Sequence, residues 1–198
     1  AIVTGRGDWS ARGPDPELTE KGHQQAQRLA EHLNHPAGET RQHSMLAGEG
    51  EALGFGLTHL YCSLMTRSIL TAQYIAEVCV VPAVAHPDIY EKGGIYEEHA
   101  DRTKTGAAGP GQSYFRKRFP ALELPDSIGE VGWYRRDYET EGPFLHRIEQ
   151  VVKNIKRSHA LTDDCVAMVF VAESMLSVRH LFPVEPKYPN ALPQAGLR

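Results

Sequence analysis

LTHLYCSLMTRSILTAQYIAEVCVVPAVAH, residues 57–86, is the stretch on which the fold turns. Leu57 to Cys62 reads as a short strand that stops at a polar residue, Ser63. Met65 to Val78 follows as a helix, because Ile69, Ala72, Ile75 and Ala76 share one helical face. Val80 to His86 is a second short strand, cut off by Pro87. Strand, helix and strand in immediate succession is the unit from which parallel sheets are built.

Upstream, Ala1-Ile2-Val3-Thr4 is apolar and β-branched and runs straight into Gly5-Arg6-Gly7-Asp8, as a buried strand ends in a loop. Thr19 is placed to cap a helix whose Ala26, Leu29, Ala30 and Leu33 fall at i, i+3, i+4 and i+7, one core-facing stripe. Pro36 to Gly56 carries five glycines among polar residues and reads as a loop, with one helical turn around Ser44 to Leu53.

Downstream, residues 87–143 lose their periodicity except at Ser113 to Phe119 and are rich in Gly, Pro and charge, the profile of a long excursion that builds a pocket lid. Pro143 opens an amphipathic helix marked by Phe144, Leu145, Ile148, Val151, Val152 and Ile155. Cys165 to Ala172 is a continuous apolar strand, and Ser174 to Leu181 a short helix. The sum is an α/β chain, a three-layer α/β/α sandwich with a mainly parallel sheet, in one domain over residues 1–198. In such folds a ligand binds beyond the carboxyl ends of the strands, here after Thr4, Cys62, His86 and Ala172.

Composition excludes several classes of function. The 198 residues, 41% hydrophobic and 23% charged, suit an ordinary globular domain, and 21 basic against 25 acidic residues leave no basic field for nucleic acid. No stretch approaches the roughly 20 apolar residues of a membrane span, and no charged start followed by an apolar run marks a leader. The expectation is a soluble, cytoplasmic protein with no membrane partner. Cys62, Cys79 and Cys165 form no CxxC pair and read as small buried hydrophobes. No histidine pair has metal-ligand spacing, and packing explains His23, His32, His146, His159 and His180, so neither metal nor cofactor is expected. Arg6-Gly7-Asp8 matches an integrin-recognition string, which at the end of a buried strand reads as coincidence, and Arg116-Lys117-Arg118 reads as a solvated helix face.

Four fragments in order carry a resemblance. They are Leu18-Thr19-Glu20-Lys21-Gly22 with Gln25-Ala26 and Leu29-Ala30, Tyr61-Cys62-Ser63 with Arg67 and Thr71-Ala72, Asp88-Ile89-Tyr90-Glu91, and the strand end Val169 to Val171. Together they resemble the histidine phosphatase, or phosphoglycerate mutase-like, superfamily over almost the whole chain. That resemblance implies an RHG motif after the first strand, whose histidine attacks phosphorus. It also implies two arginines and a second histidine around the phosphoryl oxygens, and a carboxylic acid that protonates the leaving group.

The chain departs from that pattern at the chemistry itself. Gly5-Arg6-Gly7 stands where RHG is expected, so Arg6 matches the nucleophile and Gly5 the first clamp arginine. Glu173-Ser174 stands where the second histidine and its glycine are expected, while Arg67 and Glu91 survive. Guanidinium stays protonated at any workable pH and cannot act as a nucleophile. A carboxylate at position 173 would repel phosphate by about 1 to 4 kcal/mol at a separation near 4 Å. The reading is therefore a phosphatase-fold protein without phosphatase or mutase chemistry. Three changed pocket positions within recognisable scaffold motifs fit either a pocket rebuilt by design or a natural relative turned to binding, and the sequence leaves both open.

An alternative use of the pocket is ester hydrolysis. Val171-Ala172-Glu173-Ser174-Met175 sets Ser174 between strand and helix as in a nucleophile elbow, although the usual flanking glycines are replaced by Ala172 and Leu176, and a plain helix cap explains the serine as well. His99, following the Glu91 segment, is the candidate triad histidine, with Glu97, Glu98 or Asp8 to orient it. Glu173 has a second possible role as a general base. The expected ligand is a small anion or ester, and the oligomeric state is open.

Overall fold

A computed structural model describes residues 13–34 and 55–170. The strand at Ala1 to Thr4, the turn at Ser44 to Leu53 and the helix at Ser174 to Leu181 fall outside the described residues. Helix α1 spans Glu20–Leu33, and Thr19 caps it as expected: the Gly22 amide donates to Thr19 Oγ1 at 3.1 Å. Its buried face is Gly22, Ala26 and Ala30, whereas Leu29, expected in the stripe, is 42% exposed. Small residues let α1 lie close against α2, and a leucine at the flank of so narrow a contact is left in solvent.

The strand, helix and strand of residues 57–86 form with shortened strands: β1 at His59–Cys62, α2 at Thr66–Cys79 and β2 at Ala83–Ala85. Helix α2 has no cap from its own Met65, and a distant residue supplies one. The amide and hydroxyl of Thr66 both donate to the carboxylate of Asp15. At its other end the β-branched Val80 adopts φ 54° and ψ 46°, a left-handed conformation that glycine usually fills.

The excursion is more regular than its sequence suggests. Strands β3, Tyr96–Glu98, and β4, Lys104–Gly106, pair antiparallel, and α3 occupies Gln112–Arg118, where Ser113 to Phe119 pointed. Helix α4 runs Glu141–Ser158 and buries Phe144, Ile148, Val151 and Val152 of the expected stripe. The last described strand is β5, Val166–Val169, within the Cys165 to Ala172 expectation, of which Val171 and Ala172 fall outside the described residues.

The sheet has the order β2-β1-β5 with both pairings parallel. Successive strand residues point to opposite faces. Leu60, Cys62, Ala83 and Ala85 enter a core shared with Ala30, Ile69, Ala72 and Ile75 of α1 and α2. Tyr61, on the other face, reaches His159 at the end of α4, so helices lie on both sides of the sheet as the three-layer reading requires. Cys62 is fully buried, and burial pushes its thiol up to about 12, so it is an inert core residue. Cys79 and Cys165 are only half-buried, because one ends a helix and the other precedes a strand. No helix among the described residues is long and apolar enough to cross a membrane.

Candidate functional site

Beyond the carboxyl ends of β1 and β2 lies a cavity of about 550 Å³. Its walls are the loop before α1 (Gly13, Pro14, Pro16), Arg67 on the first turn of α2, Glu91 and Lys92 after β2, and the hairpin side chains Tyr96, Glu98 and Lys104, with Tyr138 closing one side. A second, apolar cavity of about 320 Å³, between α2 and residues 121–122, offers only Glu77 as an ionisable group. The chemistry therefore belongs to the larger one.

Arg67 is at the centre of the larger site and is already engaged. Its Nη2 donates to Glu91 Oε2, and its Nη1 lies 3.8 Å from Asp15 Oδ1. The same Asp15 carboxylate caps α2, accepting from Thr66 Oγ1 at 2.7 Å. One guanidinium thus faces two carboxylates, and an entering anion must displace at least one of them or meet both.

The opposite wall is aromatic and cationic. The Lys104 ammonium sits 4.7 Å from the Tyr96 ring centre and 4.8 Å from that of Tyr138, and the two rings meet edge to face. Gly94 lets this wall form. It has φ +71°, and a Cβ there would sit 2.0 Å from Tyr134 Cζ, inside van der Waals contact with a buried ring. Tyr134 in turn donates to the carbonyls of Gly93 and Asp137.

Of the sequence-predicted site residues, Arg67 and Glu91 are brought together, and Gly5, Arg6, Glu173 and Ser174 fall outside the described residues. His99 does not join the cavity lining. It is exposed at the end of the β3–β4 hairpin, its ring paired with Thr105 Oγ1 and its amide with the Thr103 carbonyl. Its would-be partner Ser174 falls outside the described residues, so only the exposure of the ring and its hairpin bond to Thr105 are seen. Glu98, offered as its orienting acid, lines the cavity near Lys104 instead.

Asp15 was missed. Its only sequence signal is a carboxylate fixed between Pro14 and Pro16, which keep the chain extended, while its partners lie 51 residues away. A second missed cluster, His59, His159 and Asp164, lies at the opposite edge of the sheet and bears on metal binding.

The chain matches the family model described as Histidine phosphatase superfamily (branch 1) over residues 5–178. No curated protein sequence matches it. Among solved structures it is similar to the ecdysone phosphate phosphatase EPPase of Bombix mori, in complex with tungstate, at 18% identity and a TM-score of 0.56. The match covers 93% of this chain but 65% of that one, so the chain spans less than two thirds of that enzyme. The parallel sheet, the Arg67–Glu91 site beyond its carboxyl end and the family match over most of the sequence establish that this chain belongs to the histidine phosphatase superfamily, branch 1.

Proposed function

We propose that this chain is a single histidine-phosphatase-fold domain that does not carry out the phosphoryl transfer of its family. Its pocket, walled by the excursion at residues 87–143, then serves to bind a small anion or ester. The observation that carries the reading is Gly5-Arg6-Gly7 in place of the nucleophile motif. Two further observations support it. Glu173 stands where a phosphate-holding histidine is expected, and among the described residues lining the cavity there is no histidine, serine or cysteine to replace the lost nucleophile.

Charge sets the affinity of such a pocket. Arg67, Lys92 and Lys104 face Glu91 and Glu98 across the cavity, a single net positive charge among its described lining, and Asp15 draws on Arg67 from behind. Anion binding is weak on this account, in the range of exposed ion pairs.

The test is release of p-nitrophenol from its phosphate monoester. The expected result is no turnover above buffer for the unaltered chain, and measurable turnover after Gly5→Arg, Arg6→His and Glu173→His are made together. Turnover by the unaltered chain that Arg67→Ala abolishes would overturn the reading. Ester hydrolysis is decided in parallel with a fluorophosphonate probe. A stoichiometric adduct lost in Ser174→Ala would replace a binding pocket with a serine hydrolase.

A further inference from the structure

His59 opens β1, His159 caps the end of α4, and Asp164 lies in the turn that leads from α4 into β5. Separated by up to 105 positions, they converge at the amino-terminal edge of the sheet, the end remote from Arg67. One ligand atom from each lies within 4.8 Å of the other two. His159 Nδ1 is 2.7 Å from Asp164 Oδ2, and His59 Nδ1 is 3.7 Å from Asp164 Oδ1. The two carboxylate oxygens are thus divided between two imidazoles, whose ring centres are 4.5 Å apart.

We propose that His59, His159 and Asp164 form a binding site for one divalent transition-metal ion of the zinc class.

Two imidazoles and a carboxylate are the donor set such ions take with three protein ligands and a water in the fourth position. In a tetrahedral shell with bonds near 2.0 to 2.1 Å, neighbouring donor atoms stand about 3.3 Å apart. His159 stands closer than that to Oδ2 and His59 a little farther from Oδ1, so the side chains must turn to bring one atom from each onto the ion, all three starting within 4.8 Å of one another. The side chain of His59 is 41% exposed, which leaves the fourth position open to solvent.

The surroundings orient the ligands as metal sites require. Tyr61 Oη lies 3.1 Å from His159 Nε2 and can accept its proton, which leaves Nδ1, on the Asp164 side of the ring, to bind the ion. Thr162 Oγ1 donates to Asp164 Oδ2 at 2.6 Å and anchors the carboxylate. Thr58 Oγ1 lies 2.9 Å from His59 Nδ1, but that hydroxyl also bonds both the carbonyl and the amide of Cys165, so it keeps partners when His59 turns to an ion. The carboxyl end of the 18-residue α4 adds a negative dipole end beside the site. The ion takes the place of the proton shared by His159 and Asp164 and ties the α4–β5 turn to β1.

Chelator-treated full-length protein, titrated with Co²⁺ and followed by visible absorption, tests the site. The expected result is one Co²⁺ per chain with tetrahedral d–d bands, displaced by Zn²⁺. Binding should weaken at least tenfold in His59→Gln and in Asp164→Asn, and stay unchanged in His146→Gln, an exposed histidine of α4 outside the cluster. His59→Gln alters a half-exposed side chain, so its melting temperature in chelator should match that of the parent. Saturating Zn²⁺ should raise the melting temperature of the parent and not of His59→Gln. Unchanged Co²⁺ binding in both cluster variants would place the ion elsewhere and overturn the proposal, as would no binding at millimolar Co²⁺.

Discussion

The two ends of the sheet balance their charges in opposite senses. At the carboxyl end one guanidinium, Arg67, is met by two carboxylates, Asp15 and Glu91. At the amino edge one carboxylate, Asp164, is met by two imidazoles, His59 and His159. An anion enters the first site only by competing with ion pairs, whereas a cation enters the second by replacing a shared proton. Among the described residues, the end that the family equips for phosphate holds its arginine in ion pairs, and the end with no sequence motif gathers the donors proposed for a cation.

The largest effect should come from cutting the support of the cavity wall. Arg147 on α4 donates to Glu139 and to the backbone carbonyls of Asp88 and Tyr90, and its guanidinium lies 3.4 Å from the Tyr90 ring centre. Arg147 and Glu139 are both about nine-tenths buried, so removing one strands the other's charge. Arg147→Met should cost about 3 to 5 kcal/mol in urea unfolding. A loss below 1 kcal/mol would mean that the cavity end stands without α4.

Asp15 comes next, and it acts on the comparison directly. Asp15→Asn keeps an acceptor for Thr66 but removes one of the two charges on Arg67. Stability should fall by less than about 1 kcal/mol, because Asn caps a helix about as well as Asp and only the ion pair with Arg67 is lost. Phosphate affinity measured by calorimetry should rise at the same time. A variant that loses stability without gaining phosphate affinity would show that Glu91 alone holds Arg67 out of use.

The same two ends explain what the sequence disclosed. Arg67 and Glu91 were legible because they lie in fragments that resemble the family's, and the parallel sheet, which gathers strand ends, then brings them together. The helices α1, α2 and α4 were legible from periodicity, and Leu29 failed because a periodic stripe does not say how wide the contact is. The hairpin of β3 and β4 was hidden: three-residue strands carry too little alternation to register, and its turn is set by Asp101 bonding Thr103. Asp15 and the His59–His159–Asp164 cluster were illegible for a different reason. Asp15 lies 51 positions from Thr66 and His59 lies 105 from Asp164, and no local pattern encodes a pairing that only the fold creates.

A smaller effect separates the two ends of α2 itself. Its first turn, at the cavity, is capped by Asp15, while Val80 at its last turn, 87% exposed, holds a left-handed backbone conformation. For a β-branched residue that conformation costs about 1 to 2 kcal/mol. Glycine avoids the cost but loses more entropy on folding. Val80→Gly should therefore stabilise the protein by roughly 0.5 to 1 kcal/mol in urea unfolding. A destabilised variant would mean that the strain is not where the backbone puts it.

The smallest effect concerns protons at the cavity end. His86, just past β2, accepts the Asp88 amide at Nδ1, with Tyr61 edge-on to its ring. Burial holds its pKa below the usual histidine value, partly offset by the Asp88 carboxylate. The folded state therefore binds fewer protons than the unfolded chain as pH falls through 6.5, the ordinary histidine value. The stability His86 contributes is complete above that pH and is lost as pH falls through the lowered value. His86→Asn keeps an acceptor for the amide two residues on and has no proton to gain. Unfolding free energy followed from pH 8 to pH 5 should decline less steeply in His86→Asn than in the parent. Parallel curves would mean that the burial of His86 does not set the acid sensitivity of the fold.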